Sequence, residues 1–418
     1  MFWWWERRPR RESLHPPPPR FEKIPPRTQH SPLFHPPPHR VRVTPSPVAI
    51  ALFYGLYFAV LGIVLPFMPP YFASWGLSAI GVGSVIAAFQ VAKSFGALIG
   101  GGAADRWGRT PVLAFTLVGA PLATLLLLTD LPQIWGWGIL GFSLWVTLFG
   151  LMRAAPLPLV ETIAMTGVRE QGWHYGRLRL WGSVGFIVAV LVAGVAVDRF
   201  GPRAFPWVIL PFLMGLVLLI PRLREATPAT SPSQKPAPWP IREAAPLVAA
   251  GFFMQASHGA YYGFFSLAMA QRGYSATLIG LFWAIGVLAE VGLLNYADQL
   301  VRRFSAARLL LWALLLAVLR WTGLAMFDAI VVILMLQTLH AATFAIFHVA
   351  AVNLAKERAP EGTESRFQSL YSAGSFGLGG GVGMFSAGFI VDGAGYAPAF
   401  GVSAAMALAG WWVARRWL

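Results

Sequence analysis

The amino-acid sequence predicts an all-α polytopic membrane protein whose twelve transmembrane helices form two pseudo-symmetric six-helix bundles. Of the 418 residues, 56% are hydrophobic and only 12% are charged, and the mean hydropathy is +0.60. Soluble domains carry about 25% charged residues, so this composition excludes an ordinary soluble protein. Twelve apolar segments, each about long enough to cross a bilayer as a helix, predict the same fold class.

The first 47 residues differ in composition from the rest of the chain. Histidine-proline runs occupy residues 15–19 and 35–39, and nine Lys or Arg are spread through the segment. Such a composition is typical of a disordered tail with a polyproline II bias. It lacks the apolar core of a secretory signal. We predict a cytoplasmic tail over 1–47 that binds anionic lipid or a partner, or is only a solvated appendage; the other alternative is that translation starts further downstream.

The apolar spans follow the tail and fall into two groups of six. They cover residues 48–71, 79–103, 112–129, 133–160, 179–197, 204–221, 246–270, 277–297, 309–327, 329–354, 367–391 and 395–414. The segment 222–245 between the groups is rich in Pro, Ser, Thr and Ala, which predicts a cytoplasmic linker. The chain therefore divides into an N-terminal bundle over 48–221 and a C-terminal bundle over 246–418.

The distribution of basic residues predicts the orientation in the membrane. Outside the tail, 17 Lys or Arg fall in the loops on the N-terminal side of the membrane and three in the loops on the other side. Cytoplasmic loops are enriched in Lys and Arg, so both termini are predicted to be cytoplasmic, in a bacterial-type inner membrane. The net charge of +15 then reflects topology, and no nucleic-acid partner is expected.

Several site classes are excluded by residues that the sequence lacks. The chain has no cysteine, which excludes disulfides and thiolate metal or redox sites. It also lacks the H-E-x-x-H and G-x-S-x-G motifs of two large enzyme classes. We therefore predict no enzyme activity, no metal and no cofactor. A non-transporting membrane scaffold is a remote alternative, and it would not need charged groups inside the membrane.

Two internal matches indicate a parallel repeat of six spans. The segment Gly-Ser-Val-Gly at 182–185 in the fifth span matches Gly-Ser-Phe-Gly at 374–377 in the eleventh, an offset of 192. Ser-Ala at 78–79 matches Ser-Ala at 275–276, an offset of 197. Two parallel halves with binding sites at their interface are typical of transporters.

Glu290 is the most informative single residue because it lies well inside the eighth span. A lone carboxylate near the centre of such a helix costs about 2.5 to 3.5 kcal/mol. It persists where it pairs with a cation, takes up a proton or faces a watery cavity, which makes it a functional candidate. Three basic residues also fall within spans: Lys93, Arg153 and Arg320.

The segment from 101 to 109, Gly-Gly-Ala-Ala-Asp-Arg-Trp-Gly-Arg, closes the second span. Glycine permits close helix packing, and the acid and arginines can bridge neighbouring helix ends. The segment resembles the loop signature G-x-x-x-D-R-x-G-R of the major facilitator superfamily. The matching positions are Gly101, Asp105, Arg106, Gly108 and Arg109. The loop at the corresponding place in the second half, 297–303, is degenerate.

Three further stretches narrow the resemblance. Residues 174–186, 255–291 and 337–340 resemble the phenylpropionate/proton symporter branch of that superfamily, and more distantly the lactose permease branch. The resemblance covers nearly everything after Val48. It implies import of a small solute together with a proton, by alternation between outward-open and inward-open forms. We expect a monomer in the lipid bilayer, with the proton as coupling ion.

The lactose permease pattern also implies site residues. That pattern has an acid 18 residues before an arginine and, later, an arginine 20 residues before a histidine; the residues that match are Glu161, Arg179, Arg320 and His340. The sugar permeases have a further acid where this chain has Thr343, and another where it has Val287. These departures argue against a sugar as substrate.

These residues lead to a hypothesis of the mechanism. Burial makes a carboxyl group hold its proton more tightly, and a nearby cation weakens that hold. Glu290 is predicted to take the coupling proton, with His258 and His340 as relays or as hydrogen-bond partners of the substrate.

The substrate itself is predicted to be a small organic acid, with aromatic acids among the candidates. Arginine holds a carboxylate through two parallel hydrogen bonds, so Arg179 and Arg320, beside Glu161, form the predicted substrate site. Tyr261 and Tyr262 follow His258 on one helix face and are predicted to pack on an aromatic ring.

Each of these residues also has a structural alternative. Glu290 can form an ion pair with Arg320 or Lys93, and Glu161 an interfacial salt bridge with Arg179. The tyrosines can serve packing alone. For the whole protein, the alternatives are a nucleoside or sugar symporter and a proton-driven exporter.

Overall fold

The computed structural model describes residues 45–129, 136–224 and 238–418. Nearly all of the predicted tail and the middle of the predicted linker lie outside the described residues. Every regular element in the described ranges is helical, which confirms the predicted all-α class.

The first half contains six long helices that correspond to the first six predicted spans. They are α1 (Pro47–Ser74), α2 (Ala79–Trp107), α3 (Arg109–Leu128), α4 (Ile139–Gln171), α5 (Tyr175–Phe200) and α6 (Pro202–Leu223). The largest difference from prediction is in α4, which continues to Gln171 instead of ending near residue 160.

The second half differs because its first span is broken. It contains α7a (Ile241–Ser257) and α7b (Gly259–Gln271), followed by α8 (Ala276–Leu294), α9 (Ala306–Met326), α10 (Ile330–Arg358), α11 (Glu364–Ala394) and α12 (Tyr396–Trp417). A short helix, Ala297–Phe304, joins α8 to α9. Within the described residues, 11 helices are long and apolar enough to cross a membrane. The expectation of one continuous seventh helix is wrong, because the helix is interrupted at His258.

Two helices of the second half contain wide π-helical turns. The turn in α10 covers Ala341–Ile346 and begins directly after His340. The turn in α11 covers Ala373–Gly379 and includes the repeated segment 374–377. Wide turns of this kind are frequent at functional sites. The matching segment of the first half, 182–185, lies in a regular α-helix.

The repeated Ser-Ala pairs mark equivalent helix starts. The Ser78 side chain accepts a hydrogen bond from the Gly81 N–H at 3.2 Å. The Ser275 side chain accepts one from the Leu278 N–H, also at 3.2 Å. Both serines satisfy an N–H group that the first turn of a helix leaves without a partner, so α2 and α8 begin in the same way.

Glycines bring the two halves together along α2 with α11 and α5 with α8. A Cβ atom at Gly83 would lie 2.8 Å from the Met384 carbonyl oxygen, and one at Gly280 would lie 2.8 Å from the Val190 carbonyl oxygen. Neither position accepts a side chain without movement of the backbone of the other half. Small residues at such contacts allow close helix approach in membranes.

We call the side at which α1 begins and α12 ends the terminal face, and the other side the opposite face. At the opposite face, the Asp198 carboxylate at the end of α5 accepts hydrogen bonds from the Ala276 N–H at 2.6 Å and the Thr277 N–H at 2.8 Å. The Asp392 carboxylate at the end of α11 accepts one from the Ala79 N–H at 3.2 Å. Each carboxylate thus caps the first turn of a helix in the other half. We call these contacts the cross-half caps.

The joining of the halves is concentrated toward the opposite face. Both cross-half caps lie there, and the α5–α8 glycine contacts lie close to them. Within the described residues, α4 makes no extensive contact with any helix of the second half. The structure is therefore closed at the opposite face.

Candidate functional site

The centre of the second half is a fully buried arginine. Arg320 in α9 donates from Nη2 to Gln337 Oε1 at 2.9 Å and from Nη1 to Thr343 Oγ1 at 3.2 Å. Its Nη1 also lies 3.1 Å from His340 Nδ1. Tyr261 OH donates a second hydrogen bond to Gln337 Oε1, at 3.0 Å. The network therefore joins α7b, α9 and α10 around one positive charge.

Aromatic rings complete the surroundings of this arginine. The Arg320 Cζ atom lies 4.4 Å from the centroid of the Tyr261 ring and 4.6 Å from that of Trp321. Trp321 Nε1 donates to Ser257 Oγ at 3.1 Å, which ties the arginine to the break in the seventh helix. Tyr261 also packs against Trp283, with ring centroids 4.6 Å apart. Tyr261 is thus buried against Arg320, whereas Tyr262 is half-buried.

Glu290 is connected to Arg320 through His340 and does not contact it directly. His340 Nδ1 accepts from Arg320, so the proton of the neutral ring is assigned to Nε2. This Nε2 lies 3.8 Å from Glu290 Oε2. Glu290 is only 2% exposed. The direct ion pair of Glu290 with Arg320 or Lys93, a structural alternative from the sequence, is absent from the described residues.

His258 occupies the break between α7a and α7b. Its Nδ1 lies 2.8 Å from the Met254 carbonyl oxygen and is assigned as the donor. Its Nε2 is buried and has no hydrogen-bond partner among the described residues. The rings of His258 and His340 have centroids 6.5 Å apart. The two histidines are neighbours, but a relay between them needs a bridging group.

The first half contributes an arginine in a different setting. The Cζ atom of Arg179 in α5 lies 3.8 Å from the centroid of the Phe58 ring and 5.7 Å from that of Tyr54. Arg179 has no hydrogen bond or ion pair with any residue in the described ranges. Its guanidinium group therefore remains available to an anionic ligand.

Glu161 differs from its expected arrangement. Its Oε1 accepts from Tyr175 OH at 3.4 Å, and no contact salt bridge with Arg179 is present in the described part of the chain. Gly182 explains where the arginine lies instead. A Cβ atom at this position would be 2.6 Å from Arg179 Nη1 and 2.8 Å from Phe58 Cδ2. The first glycine of the repeated segment thus leaves room for the guanidinium to lie against Phe58.

Arg153 in α4 packs against Tyr57 in α1 and so links these two helices. Tyr57 OH donates to the Arg153 carbonyl oxygen at 2.8 Å, and the Arg153 guanidinium lies 4.4 Å from the Tyr57 ring centroid.

Gln337 is a site residue that the sequence reasoning missed. It lies three residues before His340 inside an apolar helix, a spacing that places both polar side chains on one helix face. That spacing could have identified it.

The loop signature after α2 has its expected turn but a different packing contact. Gly108 ends the helix with a φ of 86°, a conformation that favours glycine. Gly101 has open space where a Cβ atom would be, whereas a Cβ at Gly100 would lie 2.3 Å from the Ala155 Cβ. The close helix packing expected of glycine is therefore found one residue before the signature, at Gly100. Asp105 is exposed and forms no bridge to the described residues.

Comparisons with known proteins identify the family of the chain. Residues 48–402 match the model of the MFS_1 like family. The chain is 30% identical over 339 residues to the probable 3-phenylpropionic acid transporter of Escherichia coli, covering 78% of this chain and 86% of that protein. It is 29% identical over 342 residues to the maltose permease of Geobacillus stearothermophilus, covering 78% and 83%.

A solved structure supports the fold alone. The crystal structure of the nucleoside transporter NupG superposes with a TM-score of 0.75 at 15% identity, covering 88% of this chain and 98% of that one.

Proposed function

The chain belongs to the MFS_1-like family of the major facilitator superfamily, and from this premise we propose that it is a proton-coupled symporter that imports a small organic acid. Family membership makes it a multi-pass membrane protein and a secondary transporter, and its relatives are transporters rather than enzymes. The proposal adds the proton, the substrate class and the direction.

One observation carries the proposal: a buried carboxyl group, Glu290, lies beside His340, while Arg179 of the other half has no hydrogen bond or ion pair with the described residues. An ionised Glu290 and an anionic substrate bound between the halves would repel each other and compete for the same positive charges. Protonation of Glu290 removes this competition, so the proton and the anion bind together. Release of either one weakens the binding of the other, which is the coupling that symport needs.

His340 supports the role of Glu290 as the proton site. Its Nε2–H faces the carboxylate while its Nδ1 is held by Arg320. The imidazole therefore transmits part of the positive charge of Arg320 to Glu290 without forming a permanent ion pair with it. A carboxyl group held in this way can exist in both protonation states as the transporter alternates.

Aromatic groups beside the charged groups favour a phenylpropionate-like acid. The half-buried Tyr262 stacks on His258 with ring centroids 5.6 Å apart and on Trp283 at 6.2 Å. A ring bound here gains offset-stacked contacts while its carboxylate reaches an arginine. A relative that is a probable 3-phenylpropionic acid transporter supports the same class.

Sugar symport is the second candidate, because one relative is a maltose permease. The neutral Thr343, which here accepts from Arg320, and the unpaired guanidinium of Arg179 favour an acid over a sugar. We further propose that the protein is a monomer in a bacterial-type inner membrane with both termini in the cytoplasm. The basic loops of the terminal face support that orientation.

Uptake into proteoliposomes tests the proposal. A panel of labelled aromatic acids, sugars and nucleosides is offered with and without an inward proton gradient. We expect saturable uptake of an aromatic acid that the gradient drives and that Arg179→Gln abolishes. Gradient-driven uptake of maltose, with no uptake of any acid, would overturn the substrate class.

Glu290→Gln tests the proton site in the same vesicles. We expect it to lose gradient-driven uptake and to keep exchange of internal for external substrate. Glu243→Gln removes an exposed acid near the start of α7a and is the matched control, which should keep both activities. Unchanged uptake by Glu290→Gln at every pH would remove this residue from the mechanism.

A further inference from the structure

A pocket lies on the terminal face, where the short helix Ala297–Phe304 meets α9 and α10. Its volume is about 590 Å³. Four of its lining residues are arginines: Arg302, Arg303, Arg308 and Arg358. None of them belongs to the buried cluster around Glu290, so the pocket is a separate feature of the second half.

Three of these arginines are uncompensated. Arg358 donates from Nη1 to the Trp417 carbonyl oxygen at 3.2 Å and from Nη2 to the Leu418 oxygen. The other three are exposed, and within the described ranges they form no hydrogen bond or ion pair. Glu357 also lines the pocket, and it forms no ion pair with them. The pocket therefore presents more positive than negative charge to a ligand.

The position of the pocket indicates the boundary between lipid and water. Arg308 lies one helical turn before Trp312, which is 47% exposed on the outer surface of α9. Trp312 packs on Phe304, with ring centroids 5.1 Å apart. Exposed tryptophan beside arginine is typical of the level of the lipid headgroups, and basic pockets on the cytoplasmic side bind anionic headgroups.

The corresponding loop of the first half has the same backbone and a different charge. Gly108 has φ 86° and ψ 154°, and Ser305, 197 residues later, has φ 61° and ψ 151°. The same offset places Arg302 at the position of Asp105. The second-half loop thus has a base at the position of the Asp105 acid and keeps the turn. That exchange makes the loop suitable for an anion.

From the unpaired arginines, the cavity and its boundary position we propose that this pocket binds the phosphate group of an anionic phospholipid. The arginines bind the phosphate oxygens through charge-assisted hydrogen bonds. The acyl chains of the lipid lie along the outer surface of α9 near Trp312. An inorganic phosphate ion offers the same oxygens but lacks these chains.

Lipid binding to the purified, delipidated full chain tests the proposal. Native mass spectrometry counts bound phosphatidylglycerol, phosphatidylcholine or inorganic phosphate on the wild type and on Arg302→Gln/Arg303→Gln/Arg308→Gln. We expect the triple variant to lower phosphatidylglycerol affinity on the order of 100-fold and to leave phosphatidylcholine binding unchanged. Arg222→Gln/Arg224→Gln/Arg242→Gln removes three exposed arginines elsewhere on the terminal face and is the matched control.

A gain-of-affinity variant keeps the test independent of folding. Glu357→Gln removes the acid that lines the pocket, so we expect it to bind phosphatidylglycerol several-fold more tightly than the wild type. Equal phosphatidylglycerol affinity in the wild type, the triple variant and Glu357→Gln would overturn the site. Inorganic phosphate that binds as tightly as phosphatidylglycerol, with the same dependence on the arginines, would overturn the lipid as its ligand.

Discussion

The two halves of the molecule hold their intramembrane arginines in opposite ways. In the second half, Arg320 is fully buried, and its two terminal nitrogens are engaged by Gln337, His340 and Thr343. In the first half, Arg179 lies on the Phe58 ring with no hydrogen bond to the described residues. An arginine whose terminal nitrogens are hydrogen-bonded within its own half stabilises one arrangement, whereas an arginine without such bonds can change partners.

This difference suggests a division of labour between structurally similar bundles. The engaged arginine sets the position of His340 and, through it, the surroundings of Glu290. The available arginine remains able to bind the substrate. The two halves therefore share the arrangement of six spans. The contacts of the arginine in each half determine the role of that arginine. The expectations below test this comparison.

The largest expected effect is on stability and distinguishes the two arginines. Arg320→Gln leaves several buried polar groups without their charged partner and should cost about 3 kcal/mol. Arg179→Gln removes mainly a cation–π contact and should cost about 1 kcal/mol or less. Thermal unfolding of both variants in detergent measures the difference. Equal losses would show that the two arginines are held alike.

A smaller effect is expected at the cross-half caps. Asp198→Ala removes two backbone hydrogen bonds and one from the Thr277 hydroxyl, whereas Asp392→Ala removes one longer bond. We expect Asp198→Ala to separate the halves at the opposite face more often than Asp392→Ala does, because charge-assisted hydrogen bonds contribute about 1.5 to 3 kcal/mol each.

Spin labels can measure this separation directly. The chain has no cysteine, so Trp207→Cys and Met326→Cys, both exposed and on opposite halves, supply a clean pair of labels. The distance distribution between them should gain a longer component in Asp198→Ala. If a longer distance appears in Asp392→Ala and not in Asp198→Ala, the Asp392 cap is the stronger of the two and the expectation is wrong.

The smallest effect on stability is expected at the equivalent turns of Gly108 and Ser305. Ser305 has a φ of 61° and is the non-glycine residue with positive φ in the described ranges. Such a conformation costs about 1 to 3 kcal/mol in a residue with a Cβ atom. Ser305→Gly should therefore stabilise the protein by about 1 kcal/mol, and Gly108→Ser should destabilise it by a similar amount. Thermal midpoints that move in the other direction would contradict the strain at Ser305.

Much of the fold could be predicted because each helix is specified locally. The helices follow the predicted apolar spans. Serine side chains cap the start of three of them, and glycine follows the end of four. The break at His258 and the wide turns of α10 and α11 escaped prediction. No proline marks them. Gly259 follows the break and glycines lie within the turn of α11, but glycine is also common in the regular helices and so did not distinguish these positions.

The sequence identified most residues of the site, but not which of them contact each other. Polar residues inside apolar spans are expected to face the protein interior. The structure buries Glu290, Arg320 and His340 and brings them together. The sequence could not show that the imidazole lies between the acid and the arginine. It also could not show that Glu161 pairs with Tyr175. Such pairings depend on the rotation of each helix and on side-chain rotamers, which the order of residues does not determine.

The wide turn after His340 has a consequence for how α10 can change. One surplus residue in a helix shifts the azimuth of everything beyond it by about 100°. Phe347 and His348 lie beyond the turn and still point inward, with 1% and 8% exposure. Deletion of one residue from the turn would rotate them toward the acyl chains and leave His340 in place. The part of α10 beyond the turn can therefore rotate about the helix axis without rotating the part that bears His340.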